Sequence, residues 1–115
     1  MAQQRLLESV EALGLEPVLF HAGPEMIKLG GILQYARGHS SGDSFVWCNS
    51  DVILTRSPFT IANRTKVHGF HRREIPSYEV CGGVDMYLIP NIIWDNYLSR
   101  DIPDLWCGAS HVDWW

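Results

Sequence analysis

The run Ser44-Phe45-Val46-Trp47-Cys48-Asn49 constrains this chain more than any other segment. It is apolar almost throughout, with no alternation that would leave one side wet, and turn-forming Ser41-Gly42-Asp43 precedes it while polar Asn49-Ser50-Asp51 follows. A strand of that kind must be covered on both faces, so the sequence predicts a central sheet position with helices packed over it. The chain is long enough to supply that cover. Its 115 residues, 46% hydrophobic and 19% charged, suit one core and a single domain over residues 1–115.

The flanking segments carry the matching signals. From Ala2 to Leu13, Leu6, Leu7, Val10 and Leu13 recur at helical spacing, and Gly14 supplies a left-handed stop. Pro17-Val18-Leu19-Phe20-His21 reads as a short buried strand closed by the Ala22-Gly23-Pro24 turn. Met26 to Arg37 places Met26, Leu29, Leu33 and Ala36 on one helical face, and Gly38 ends it. Beyond the Ser57-Pro58 loop, Thr65 to Phe70 and Val84 to Ile89 read as strands, the second following Gly82-Gly83. This order predicts an α/β fold with an open, mixed, partly parallel sheet flanked by helices.

Charge and cysteine usage narrow the functional classes. The net charge of -4 argues against a surface that tracks nucleic acid. Residues 55–73 nevertheless carry five Lys/Arg and no acid (Arg56, Arg64, Lys66, Arg72 and Arg73), with His68 and His71 among them. That segment suits a phosphate, or neutralisation of the acidic final third. Cys48, Cys81 and Cys107 are odd in number and far apart, which fits a reducing compartment. No targeting pattern and no apolar run near the ~20 residues of a membrane span occur, so a soluble cytoplasmic protein is the expectation.

In open α/β sheets ligands collect outside the carboxyl ends of strands, which makes Asp51 the leading candidate residue. A carboxylate there can hold a hard divalent cation, or can close an Asx turn. Asp85 lies within an apolar strand, where an unpaired charge is costly, so it is either hydrogen-bonded or kept for function.

The segment Phe45-Val46-Trp47-Cys48-Asn49-Ser50-Asp51-Val52-Ile53-Leu54 resembles the part of nucleotide-sugar glycosyltransferases of the GT-A fold that carries the acidic metal motif. His68-Gly69-Phe70, Gly83 to Pro90 and Cys107 to Trp115 are similar to later blocks of that family, so the resemblance spans residues 44–115. It implies transfer of a sugar from a nucleotide diphosphate to a hydroxyl. Asp51 then matches the last acidic residue of the Asp-any-Asp motif and binds manganese or magnesium with the donor diphosphate. Asn49 stands at the first position, which removes one charge from the metal site. The resemblance further implies Asn49, Ser50, Arg72 and Arg73 on the donor side and His111 as a second metal ligand. Asp85 or Asp113 would take the acceptor's proton, with Trp114 against a sugar ring. Members of the family begin with a nucleotide-binding strand; a chain that opens on a helix is expected to have the fold in truncated form.

Other chemistries fit less well. The chain has no Cys-x2-Cys, and the odd spacing of His68 and His71 puts them on opposite faces of a strand, which argues against zinc. Four of the five tryptophans lie at or after Trp94, suiting a core or an interface. The alternative to an enzyme is therefore a non-catalytic α/β binding or assembly module that forms homo-oligomers through this tryptophan-rich region.

Overall fold

The computed structural model describes residues 2–19, 28–48, 52–61, 64–74, 77 and 79–101, with backbone alone at 2–3, 72 and 80–85. Helix α1 (Ala2–Ala12) ends as its sequence demands. Gly14 takes φ +72°, its N–H donates to Glu11 O at 3.0 Å, and Leu15 N–H reaches back to Val10 O at 3.1 Å. This double closure satisfies carbonyls that the helix end would otherwise leave unpaired. Helix α2 (Leu29–Gly38) follows, beginning inside the span predicted from Met26; Met26 itself lies outside the described residues. Val18 and Leu19 have no regular secondary structure and are exposed, so the described part of the predicted Pro17–His21 segment is not a strand.

Among the described residues three strands form the sheet: β1 (Ser44–Cys48), β2 (His68–Arg73) and β3 (Val80–Pro90). Their order is β1-β3-β2, and both pairings are antiparallel. This corrects the expectation of a partly parallel sheet, while the α/β class stands. The reason lies in the connections. The link from β2 to β3 is too short for a crossover, and Glu74 N–H donates to Glu79 O at 2.9 Å, closing it as a hairpin. Strand β1 is also not central; β3 is. The apolar character of β1 is met by helix cover over its Phe45 face rather than by strands on both sides. Gly82 and Gly83 lie within β3, not ahead of it, and β2 runs three residues later than predicted.

Helix α3 (Asn91–Asn96) follows β3 directly, a short element that the sequence reading did not include. Pro90 sets it off: at φ -64° its ring fixes the backbone ahead of the first helical turn, and Asn91 N–H donates to Asp43 O at 2.8 Å. Leu29 and Leu33 of α2, Phe45 of β1, Ile89 of β3 and Trp94 of α3 form the core, joined by half-buried Ala36, Trp47, Tyr87 and Leu98. Phe45 meets Trp94 edge to face with ring centroids 6.0 Å apart. Complete burial of leucines such as these is worth about 1.5–3 kcal/mol each. The opposite sheet face has its own row, in which fully buried Leu88 stands between half-buried Val46 and His68.

Candidate functional site

The two ends of the sheet differ. At the end where β1 begins, the chain is tied down by polar contacts. Asn91 Nδ2 donates to Gly42 O at 2.8 Å, and Arg64 Nη1 donates to Asp43 Oδ1 at 2.6 Å. Arg64 also donates through Nε to Ile61 O and through Nη2 to Phe59 O, with its guanidinium 5.6 Å from the Phe59 ring centroid. The Arg64 hydrogen bond holds the Asp43 carboxyl below its ordinary range. This basic residue therefore ties Asp43 to the Phe59–Ile61 segment.

The other end is where β1 hands over to Asn49-Ser50-Asp51. Because β1 and β2 are both antiparallel to β3, they run in the same direction and their carboxyl ends emerge together. Cys48 pairs with Met86, and Met86 pairs on its far side with Phe70. The next position along β3 is Asp85, and along β2 the chain continues through His71, Arg72 and Arg73. The register thus sets the backbone of Asp85, His71 and the two arginines at the sheet end from which Asn49 follows in the sequence.

The β2–β3 ladder is irregular here. Phe70 opposes Met86 while His71 opposes Val84, and Arg73 opposes Val80. The extra residues all fall on β3, so β2 keeps its two-residue alternation. His68 and Phe70 are half-buried, whereas Gly69, His71 and Arg73 are exposed on the other face. That exposed face is the one carrying the aromatic row. Trp47 pairs with Tyr87, their rings stacked 5.8 Å apart at 16°, and Tyr87 pairs in turn with Gly69. Helices α2 and α3 cover the Phe45–Ile89 end of this face and leave the β2 side open.

Of the site residues that the family resemblance implies, Arg73 is described fully, as an exposed side chain at the end of β2. Asp85 and Arg72 are placed by backbone, in β3 and β2. Asn49, Ser50, Asp51, His111, Asp113 and Trp114 lie outside the described residues. Among the described residues no three His, Cys, Asp or Glu side chains gather as a metal-holding group. His71 was noted only as part of the basic segment, and the Trp47–Tyr87–Gly69 row was not among the predicted site residues. The signal available for them was the Phe45/Trp47 alternation and the Gly69-x-His71-x-Arg73 spacing, which become meaningful only with the strand register.

Among the described residues no helix is long and apolar enough to cross a membrane. No family model, curated protein or solved structure matches the chain.

Proposed function

We propose that the chain is a GT-A-like domain that binds a nucleotide-diphosphate sugar through a divalent metal, in the cytoplasm, and transfers the sugar to a hydroxyl. One observation carries this reading: the shared exit of β1 and β2, which sets the backbone of Asp85, His71, Arg72 and Arg73 at the sheet end from which Asn49-Ser50-Asp51 follows. Acidic and basic residue types at neighbouring backbone positions suit a diphosphate with its counter-ion.

Each residue then has a role. Asp51 and His111 hold the metal, with Asn49 offering an amide oxygen. This oxygen and nitrogen donor set suits manganese better than magnesium, which favours oxygen alone. When bound, the metal neutralises charge developing on the departing diphosphate. Ser50, Arg72 and Arg73 bind the phosphates, Asp85 or Asp113 accepts the acceptor's proton, and Trp114 packs against a sugar ring.

Thermal unfolding with uridine or guanosine diphosphate, with and without manganese, tests the reading alongside the mass in solution. A rise in melting temperature that needs manganese and is lost in Asp51→Ala supports it. No shift with either nucleotide, together with a stable homo-oligomer, would instead favour the non-catalytic assembly module.

A further inference from the structure

We infer that the outer edge of β1 is where two copies of this chain meet: the two β1 strands pair antiparallel about a two-fold axis at Val46 and join the two sheets into one. This interface is independent of the donor-binding reading and of the tryptophan-rich region.

The backbone of β1 is half used. Asn91 N–H donates to Asp43 O at 2.8 Å, and Ser44 lies opposite Pro90, which has no N–H to give. Bonded and non-bonded pairs alternate along an antiparallel ladder, so Ser44–Pro90 is a non-bonded pair, while Phe45–Ile89 and Trp47–Tyr87 are bonded. Phe45 and Trp47 therefore turn their N–H and C=O toward β3, and Ser44, Val46 and Cys48 turn theirs outward. The Ser44 carbonyl agrees with this alternation, since Ser40 Oγ donates to it at 3.3 Å. Val46 is the next outward position. Among the described residues no strand lies beyond β1, and no hydrogen bond reaches the outward N–H and C=O of Val46. A donor and an acceptor side by side on an open edge are the first rung of a new ladder.

The composition of the strand selects a second copy as the occupant. Ser44-Phe45-Val46-Trp47-Cys48 carries no charge and no proline, the devices that keep edge strands from pairing with their own kind. The other edge strand, β2, ends in Arg72 and Arg73, so two copies meeting there would set like charges together. Strand β1 is also its own complement. Centred on Val46, each Val46 N–H donates to the Val46 C=O of the other copy, and Phe45 of one copy faces Trp47 of the other in the non-bonded pair, where side chains come closest. Every contact is then made twice, which closes the assembly as a dimer. A centre at Phe45 would instead pair Val46 with Ser44, whose carbonyl already serves Ser40, and a centre at Trp47 would pair it with Cys48, which has an interaction of its own.

Sedimentation equilibrium of the full chain over a wide range of concentration tests this, with Val46→Pro as the variant. Proline removes the outward N–H of Val46 and no bond to β3, so the dilute protein should keep its melting curve. Two hydrogen bonds per dimer are lost, and the dissociation constant should rise about tenfold or more. Should Val46→Pro not fold, Val46→Lys and Val46→Glu replace it: each alone sets like charges on the axis and should be monomeric, and an equal mixture of the two should restore the dimer. A chain that stays monomeric at every concentration overturns the inference. So does a dimer that Val46→Pro leaves unchanged, or a Lys/Glu mixture that fails to pair.

Discussion

Arg37 near the end of α2 and Asp95 in α3 meet as a two-pronged pair, Nε to Oδ1 at 2.9 Å and Nη2 to Oδ2 at 2.8 Å. The pair joins helices far apart in sequence that share the core of Leu29, Leu33 and Trp94 beneath them. Its geometry is the most specific that a guanidinium and a carboxylate can form. Both partners remain substantially exposed, which keeps its strength modest.

The Arg37 hydrogen bond holds the Asp95 carboxyl below its ordinary range. A depressed carboxyl stabilises the fold above the unfolded value of about 4 and loses that contribution as pH falls through the folded one. Asp95→Asn should therefore lower the melting temperature slightly at neutral pH, less at high salt, and scarcely at all under strongly acid conditions. Melting curves at two pH values and two ionic strengths check this.

Trp94 is 2% exposed and packs edge-on against Phe45. Trp94→Ala should cost about 3–5 kcal/mol and Leu33→Ala about 2–5 kcal/mol, since each opens a cavity the core cannot fully close. Urea unfolding gives both numbers. A loss under 1 kcal/mol at either position would mean that the helices do not pack on the sheet as described.

Gly14 sits at φ +72° with no atom within 4 Å of where a Cβ would stand. Space is therefore not the obstacle, and backbone strain alone is. Gly14→Ala should destabilise by about 1–2 kcal/mol, and Gly14→Asn by less because asparagine tolerates this conformation better. Equal losses for the two would rule out the backbone as the cause.

Arg64→Lys keeps a positive charge beside Asp43 but cannot also reach Phe59 O and Ile61 O as a planar fork. The segment around Pro58–Thr60 should then exchange its amide hydrogens faster while the strands do not change. Hydrogen exchange read by mass spectrometry distinguishes this from a general loss of stability.

Local signals in the sequence carried well. Gly14 stops α1, Leu29 and Leu33 mark the buried face of α2, and the apolar run at Phe45 is a strand. What did not carry was pairing. Nothing in Ser44-Phe45-Val46-Trp47-Cys48 says which strand lies beside it, and reading its apolarity as centrality mistook helix cover for flanking strands. Helix α3 escaped because six residues are too few to show a helical period, and Pro90 reads as readily as a strand end. The candidate site divides the same way: Asp85, Arg72 and Arg73 stand out as residue types, but Gly69 and His71 matter only through their register with Tyr87 and Val84.

The register that pairs Ser44 with Pro90 has a cost during synthesis. Strand β1 leaves the ribosome early, yet the only strand that pairs with it among the described residues is nearly the last of them to be made. Until residue 90 has emerged, Phe45 and Trp47 have no sheet to join, and an unpaired apolar strand is a template for the wrong neighbour. Folding is thereby gated by long-range closure rather than by helix formation, and nascent or truncated chains that stop short of β3 are the species most prone to aggregate.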